Sequence, residues 1–296
     1  GAPGSQNLKL TRKYYTEDMP DGRVKHIVQN ITDPDIVPYI PDGIGNSTDR
    51  QRIPAVLIIP GGAFRRLVYN FEGEDVAKWL NSMGIAAFVL ECRLPSDEHD
   101  NAEDVPLIDA MRAMRVIRGR AQEFGIDEAK IGVMGFSAGG FMAALLSTAY
   151  ESDVYADYKY KDEYDKLSAR PDFAVCSYPV ISIDDCIEAG KRYMSEEQVL
   201  ERISDRKAKI LHKYNPDKLV RPDMPPVFIC ETDDDRTTLS ENSVGFYMAA
   251  RKAGVSAELH IFRTGGHGYG CGDDFAQTGE WKVLFTKWIK SIGIIS

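Results

Sequence analysis

The sequence has few cysteines, and none of them are spaced as a pair. Its 296 residues contain five, an odd number without a C-x-x-C motif: Cys92, Cys176, Cys186, Cys230 and Cys271. This number and spacing fit neither a disulfide framework nor a zinc site, so we expect no metal. Cys92 and Cys230 end apolar runs, and we expect both to be small core residues.

The sequence also lacks an excess of positive charge and a long hydrophobic run. Acidic residues outnumber basic ones by 45 to 36, which gives a net charge of -9. Nucleic-acid binding needs a basic face, so we expect no nucleic-acid partner. No apolar run approaches the about 20 residues of a membrane span, so we expect a soluble protein. Hydrophobic residues make up 43% of the chain, enough for a sizeable core.

The first residues, GAPGSQ, include neither a methionine nor a signal peptide. Either the natural start is missing or an export signal has been cleaved. We expect a cytoplasmic protein rather than an exported one, and nothing in the residues indicates an oligomeric state.

Apolar strands alternate with amphipathic helices over most of the chain. The patterns predict strands at 54–59, 85–90, 131–134, 173–178, 226–230 and 257–262, and helices at 72–83, 104–124, 138–150, 240–253 and 278–292. This alternation predicts an α/β fold with a mainly parallel, doubly wound sheet and helices on both faces. We expect residues 1–52 to form an N-terminal extension with edge strands, in which Pro34, Pro38 and Pro41 indicate a surface connection. Residues 53–296 are expected to form one domain.

Two insertions interrupt the alternation. Residues 151–171 are rich in Tyr, Asp and Lys, which predicts a solvated excursion. Residues 183–222 follow the C-terminal end of a strand, and Ser195-x-x-Gln198 is a capping pattern that predicts a helix start. We therefore expect a small lid at 183–222.

The segment Lys130–Tyr150 contains a strand, a tight turn and a helix. At the turn, Gly135-Phe136-Ser137-Ala138-Gly139 fits the G-x-S-x-G nucleophile elbow, in which the serine hydroxyl points out of the fold. Side chains at 135 or 139 would crowd the packed helix and strand. The amide of Ala138 would lie at a helix N-terminus, free to bind a developing oxyanion.

A nucleophilic serine needs a base and an acid, which should follow later strands of the sheet. His267 lies in the glycine-rich loop after 257–262, whereas His26, His99, His212 and His260 lie in a polar segment, the predicted lid or a strand. Asp233, Asp234 and Asp235 follow 226–230, and one of these three aspartates must orient the histidine. The order Ser, Asp, His is that of an α/β-hydrolase.

A second oxyanion donor is expected from the turn Pro60-Gly-Gly-Ala63, which follows the first core strand as the HGGG-type loop does. The amide of Ala63 or of Gly62 would then converge with that of Ala138.

Several segments together resemble the esterase/lipase-like α/β-hydrolases, and within them the branch of acetyl-xylan and other carbohydrate esterases, related to hormone-sensitive-lipase-like proteins. These segments, spread over about residues 31–290, are PGGAF, LECRLP, DAMRAMRVIR, IGVMGFSAGG, RPDFAVCSYPVI, the ENS after the acidic loop, and AELHIFRTGGHGYG. The resemblance implies an α/β-hydrolase domain and a Ser-Asp-His carboxylic-ester hydrolase without a metal or an organic cofactor.

The resemblance also implies which aspartate is the acid. In such proteins the strand before the acid often ends in a histidine, with the catalytic aspartate four positions later. Glu231 stands at the histidine position, which implies Asp235 as the acid. Arg236 replaces a usual proline or small residue, so Asp234 stays the alternative.

We therefore expect a small-molecule ester substrate, cleaved through an acyl-enzyme on Ser137 with Asp235 and His267. The predicted lid is rich in charge, so a short acyl group is expected, on an alcohol such as a sugar. Phe64, Tyr178 and Tyr269 are expected to line the pocket or to be core. The alternatives are a serine peptidase of the prolyl-oligopeptidase type, which usually carries a large additional domain, and a non-catalytic binding module.

Overall fold

A seven-stranded sheet forms the centre of a computed structural model that describes residues 9–43, 52–156, 162–192, 194–195, 197–198, 209–272 and 277–296. The strands of the chain are β1 (Lys13–Asp18), β2 (Val24–Gln29), β3 (Asp35–Tyr39), β4 (Ile53–Ile59), β5 (Leu67–Val68), β6 (Ala86–Glu91), β7 (Ile126–Phe136), β8 (Ala174–Ser177), β9 (Val227–Thr232) and β10 (Ala257–Phe262). The central sheet has the order β10-β9-β8-β7-β4-β6-β3. All neighbours are parallel except β3, which pairs antiparallel with β6. The predicted mainly parallel sheet is confirmed.

The strand sequences are apolar because both faces of the sheet are covered. In β4, Leu57 and Ile59 belong to the core on one face, whereas Val56 and Ile58 belong to the core on the other. All four are fully buried or nearly so. A parallel sheet with helices on both faces requires this continuous apolar run.

Helices cover the two faces, and those outside the predicted lid match the predicted ones within a few residues. They are α1 (Asp75–Ser82), α2 (Val105–Gly119), α3 (Ala121–Phe124), α4 (Ala138–Ala149), α5 (Ile183–Lys191), α6 (Lys209–Lys213), α7 (Ser240–Lys252) and α8 (Trp281–Ser291). The predicted helix at 104–124 is interrupted at Arg120, where the backbone leaves the helical conformation. Buried residues of α2, α4 and α7 contribute to one core, and those of α1 and α8 to the other.

The N-terminal segment contributes to both of the sheets that the described residues form. β1, β2 and β5 form a small antiparallel sheet, whereas β3 is an edge strand of the central sheet. The prediction of a surface connection was therefore wrong for Asp35–Tyr39. Pro38 lies within this strand, opposite Phe88, and an edge strand tolerates a proline because its missing N–H faces away from the sheet.

The predicted lid is described in part. It contains α5 and α6, and Ser195 and Gln198 make the reciprocal hydrogen bonds of a capping box, 3.0 and 3.3 Å long. Residues 199–208, which would continue that helix, lie outside the described residues. The lid and the domain boundaries at 52 and 183–222 stay predictions. Across the described ranges, no helix combines the length and the apolar character that spanning a membrane requires.

Candidate active site

Ser137 lies at the turn between β7 and α4, in a backbone conformation that few residues with a side chain adopt. Its φ is 53° and its ψ is -117°. The glycines on either side make the turn possible, as the motif predicts. A Cβ on Gly135 would lie 1.9 Å from the carbonyl oxygen of Gly139, and one on Gly139 would lie 1.9 Å from that of Ile59. The strand and helix are therefore packed too closely for any other residue.

His267 lies between Ser137 and Asp235, within hydrogen-bonding distance of both. Its Nε2 is 2.9 Å from Ser137 Oγ, and its Nδ1 is 2.6 Å from Asp235 Oδ2. With the ring proton on Nδ1, the imidazole donates to the carboxylate and accepts from the serine hydroxyl. This is the geometry that lets a histidine act as a general base. Among the described histidines, His267 is the one that contacts Ser137.

Asp235 is held in place by the residues that follow it. Its Oδ1 accepts from the amides of Thr237 and Thr238, at 2.7 and 2.9 Å, and its Oδ2 accepts from the Thr238 hydroxyl at 2.9 Å. Burial opposes the charged form of this side chain, but the hydrogen bond to His267, the charge of the imidazolium when His267 is protonated, and the amides of Thr238 and Thr237 together hold the pKa of Asp235 below its usual value. Asp235 is thus a fixed, charged partner for the imidazole.

The neighbouring aspartates have other environments. Asp234 Oδ1 accepts from the amide of Gly266 at 2.8 Å, which attaches the acidic loop to the loop that carries His267. Asp233 is exposed. Within the part of the chain that the structure describes, Asp235 is the carboxylate that contacts His267.

The predicted oxyanion donors lie in the two turns beside Ser137. Ala63 has a left-handed conformation, with φ at 57°, and Gly62 has φ at 138°. Among the described residues, the amides of Gly62, Ala63 and Ala138 have no intramolecular hydrogen-bond acceptor. The two turns are in close contact, since a Cβ on Gly61 would lie 2.9 Å from Ser137 Cβ. Free amides beside a nucleophile can bind an oxyanion, and the assignment of these donors stays a prediction.

The three predicted pocket aromatics are all buried near this site. Phe64 packs edge to face on Phe141, with ring centroids 5.5 Å apart. Tyr178 is fully buried and packs edge to face on His267 and on Tyr269, at 5.0 and 4.5 Å. Each of the three belongs to a packed core cluster, and their role in lining a pocket stays a prediction.

Two buried carboxyl groups and one hydroxyl at this site were given no role from the sequence, although Glu231 was noted there for its position before the acid. Glu72 accepts a hydrogen bond from the amide of Gly61, and Glu231 lies at the end of β9 beside Asp235. Burial raises the pKa of both, and the charge of Asp235 raises that of Glu231 further. Nothing in the sequence distinguishes Glu72 from an exposed glutamate at the start of a helix. Asp235 did leave a signal, because an aspartate side chain that accepts from the amide two residues on is typical of a turn, but this pattern does not single out the hydroxyl of Thr238.

The described residues include a serine, a histidine and an aspartate in hydrogen-bond contact, with free amides beside the serine, and acyl transfer uses groups of these kinds. In the described ranges, no group of three His, Cys, Asp or Glu side chains could hold a metal ion. Cys92 and Cys230 are buried thiols, as predicted.

The chain matches a family model and two longer curated proteins. Residues 44–249, more than half of the sequence, match the family model described as BD-FAE. The chain is 31% identical over 240 residues to the acetylxylan esterase of Xylanibacter ruminicola, which covers 80% of this chain and 45% of that protein. It is also 31% identical over 227 residues to endo-1,4-beta-xylanase B of Butyrivibrio fibrisolvens, with 76% and 34% covered. The chain thus spans less than half the length of these two curated relatives.

Solved structures resemble the chain over most of its length. The acetyl ester-xyloside bifunctional hydrolase from Caldicellulosiruptor lactoaceticus is 38% identical, with a TM-score of 0.72 and 89% of each chain covered. The carboxylesterase Cest-2923 from Lactobacillus plantarum has the same TM-score of 0.72 over 97% of this chain and 99% of its own, at 21% identity, a likeness in fold alone. The predicted α/β-hydrolase fold and the resemblance to its esterases are confirmed. The chain belongs to the BD-FAE family of α/β-hydrolase esterases.

Proposed function

We propose that this chain hydrolyses short-acyl carboxylic esters, with an acetylated carbohydrate as the natural substrate, through an acyl-enzyme on Ser137. The observation that carries the proposal is the continuous chain of contacts from Ser137 Oγ to His267 Nε2, 2.9 Å, and from His267 Nδ1 to Asp235 Oδ2, 2.6 Å.

In the acylation step, Ser137 Oγ attacks the ester carbonyl carbon while its proton moves to His267 Nε2. The carbonyl oxygen becomes an oxyanion, which accepts hydrogen bonds from the amides of Ala138 and of Ala63 or Gly62. Asp235 stabilises the imidazolium and holds its Nδ1 proton. The C–O bond to the alcohol then breaks, and the leaving oxygen takes the proton from Nε2, which leaves an acyl group on Ser137.

In the deacylation step, water replaces the alcohol and the same groups act in reverse. His267 Nε2 takes a proton from the attacking water, and a second tetrahedral oxyanion forms at the same amides. When this intermediate collapses, the bond to Ser137 Oγ breaks and Nε2 returns the proton to the serine. The products are the free acid and the unchanged enzyme, with no net change of oxidation state.

A short acyl group and a sugar alcohol agree with the charge of the predicted lid and with the names of the relatives. The described part of the predicted lid bears exposed charge at Asp184, Glu188 and Lys191, which gives little apolar surface for a long chain. Of the relatives, one is named an acetylxylan esterase and another an acetyl ester-xyloside hydrolase, which supports an acetyl group on a xylan-type sugar.

Trapping the acyl-enzyme tests this proposal. A fluorophosphonate probe should add one equivalent to the protein, and peptide mass spectrometry should find the adduct on Ser137. Nitrophenyl acetate should give a burst of nitrophenol equal to the enzyme concentration if deacylation is the slower step. Acetylated xylo-oligosaccharides should release acetate.

Ser147 supplies the matched control, because it is a buried serine of α4 whose hydroxyl donates to the carbonyl of Ala143. Ser147→Ala should keep the labelling, and Ser137→Ala should lose it. An unlabelled wild type, or an adduct elsewhere, would contradict the mechanism and favour a binding module. Release of amines from peptides without release of acetate from esters would favour a peptidase.

A further inference from the structure

Glu72 is a buried carboxyl group that the proposed mechanism does not use. It lies in the turn Asn70–Glu74, just before α1, and only 5% of its surface is exposed. Both of its oxygens accept hydrogen bonds: Oε2 from the amide of Gly61 at 2.8 Å, and Oε1 from the hydroxyl of Tyr178 at 2.9 Å. Moving a carboxyl group out of water destabilises the folded state unless its hydrogen bonds compensate. The burial of Glu72 therefore indicates a role other than packing.

Tyr178 connects this carboxyl group to the loop that carries His267. Its hydroxyl donates to Glu72 and accepts from the amide of Gly270 at 3.1 Å. Its ring packs edge to face on the imidazole of His267, with centroids 5.0 Å apart. Glu72 therefore stands at the junction of two loops, one on either side of Ser137.

On the other loop, Gly61 is held between Glu72 and the nucleophile turn. A Cβ at this glycine would lie 2.7 Å from Glu72 Oε2, 2.5 Å from the Phe136 carbonyl oxygen and 2.9 Å from Ser137 Cβ. Gly61 directly precedes Gly62 and Ala63, whose positive φ values set the direction of the next amides. A rotation of the peptide at Gly61 would turn these amides away from the reacting carbonyl.

We propose that Glu72 is a positioning residue. It fixes the turn Pro60–Ala63, which carries proposed oxyanion donors, through Gly61, and it fixes the loop of His267 through Tyr178. The proposal rests on the proposed function, because it assigns Glu72 a role in that same reaction. Glu72 touches no reacting atom. It acts by keeping the donors of the oxyanion hole at the distance that the tetrahedral intermediate needs, a distance to which catalysis is sensitive.

The test compares Glu72→Gln and Tyr178→Phe with the wild type. A glutamine can accept one of the two hydrogen bonds but not both, and phenylalanine keeps the ring while removing the hydroxyl. We expect kcat for nitrophenyl acetate to fall about 10- to 100-fold in Glu72→Gln, less than the about 10²–10³-fold that loss of a whole donor costs. KM should change by less than about threefold, since ground-state binding does not use the oxyanion hole.

An alkyl trifluoromethyl ketone measures the oxyanion hole directly, because it forms a tetrahedral adduct with the serine. Its inhibition constant should rise in Glu72→Gln by about the same factor as kcat falls. The double variant should lose little more than Glu72→Gln alone, because Tyr178 acts through the same carboxyl group.

Glu91→Gln is the matched control. Glu91 is also a buried carboxyl group with two hydrogen bonds, from Arg12 Nη1 and the Tyr14 hydroxyl, both 3.0 Å. It should keep wild-type kcat and ketone affinity even if its melting temperature falls.

Three results would overturn the inference: wild-type kcat in Glu72→Gln, a loss confined to KM, or an equal loss in Glu91→Gln. If Glu72→Gln does not fold, Tyr178→Phe decides the question, since the inference requires kcat and ketone affinity to fall together there too. Inactivity of the wild type would instead refute the proposed function itself.

Discussion

At the scale of single residues, the site depends on which of three adjacent aspartates contacts His267. Asp235 turns back into the fold because the amides of Thr237 and Thr238 bind its Oδ1, which leaves Oδ2 for the imidazole. Asp234 points the other way, to the amide of Gly266. Asp234 and Asp235 are adjacent but have different contacts. The carboxylate of Asp235 faces His267, whereas that of Asp234 joins two loops.

The first prediction concerns this difference. Asp235→Asn should lower kcat about 10³–10⁴-fold, because an amide neither stabilises the imidazolium nor keeps the ring in the productive tautomer. Asp234→Asn should cost about tenfold or less, the equivalent of one weakened hydrogen bond to a charged group. Asp233→Asn is the exposed control and should match the wild type. Nitrophenyl acetate kinetics decide, and a crippled Asp234→Asn beside an active Asp235→Asn would reverse the assignment.

The second prediction concerns Glu231. Burial and the charge of Asp235 raise the pKa of Glu231 well above its ordinary value, so the folded chain holds this proton more tightly than the unfolded chain. A carboxyl group with a raised pKa stabilises the fold below about pH 4.3, and this contribution is lost as the pH rises towards the folded-state pKa. Glu231→Gln has no proton to lose. The free energy of unfolding of the wild type relative to Glu231→Gln should therefore decrease as the pH rises above about 4.3.

Urea unfolding at several pH values measures this difference. Glu163→Gln is the control, because Glu163 is exposed, and its curve should run parallel to the wild type. Parallel curves for Glu231→Gln would show that Glu231 loses its proton equally in the folded and unfolded chains.

The site residues that the sequence predicted are those that lie in a recognisable local motif. Ser137 is marked by its two glycines and His267 by its glycine-rich loop, and the structure brings their side chains to 2.9 Å. Glu72 left no such mark, because its contact with Tyr178 joins residues 106 positions apart. Burial of a polar side chain by a distant element is a tertiary effect that local patterns do not contain.

At the scale of elements, the loop after β6 is tied to α2 by a buried ion pair. Arg93 and Asp109 are both fully buried, with Arg93 Nη2 2.5 Å from Asp109 Oδ1. The amide of Arg93 also donates to Asp109 Oδ2 at 2.8 Å. This pair fixes the loop after β6 against α2, next to β4, the strand that leads into the turn at Gly61.

The third prediction follows from this pair. Asp109→Asn should lower the free energy of unfolding by about 3–5 kcal/mol, because it removes the negative charge that Asp109 places against the buried guanidinium of Arg93. Glu123→Gln, which breaks the exposed pair of Arg120 with Glu123, is the control and should leave the urea midpoint unchanged. An unchanged midpoint in Asp109→Asn would show that the structure relaxes to hydrate Arg93.

The elements that sequence predicts well are those with continuous apolar patterns. The strands β4, β6 and β10 were predicted to within a residue or so, as were the ends of α4 and α7. β3 was missed because Pro34, Pro38 and Pro41 read as a surface connection, and its role as an edge strand depends on its neighbour β6. The interruption at Arg120 was missed because the apolar spacing continues through it into α3.

At the scale of the whole molecule, the parallel sheet gathers residues from distant parts of the sequence at one edge. Gly61 follows β4, Ser137 follows β7, Asp235 follows β9 and His267 follows β10, so all four lie at the carboxyl ends of parallel strands. This is where α/β sheets bind ligands, and the sequence order of the strands was enough to predict it. The distances between the side chains were not predictable, because they depend on the loops.

The fourth prediction concerns substrate length. Each methylene of an acyl chain that is buried against an apolar surface contributes about 0.8 kcal/mol to binding. The exposed charges of α5 offer little such surface. We expect kcat/KM for nitrophenyl esters to be highest for acetyl or butyryl groups and to fall for chains of about ten carbons or more. A maximum among the long chains would contradict the short-acyl assignment.

The central claim is that Ser137 is the nucleophile, and the activity of Ser137→Ala tests it most directly. The substitution removes one oxygen at a turn, so the melting temperature should stay near that of the wild type. With nitrophenyl acetate and an acetylated xylo-oligosaccharide as substrates, kcat should fall about 10⁴–10⁶-fold. A folded, pure Ser137→Ala protein that keeps most of its activity would contradict the claim.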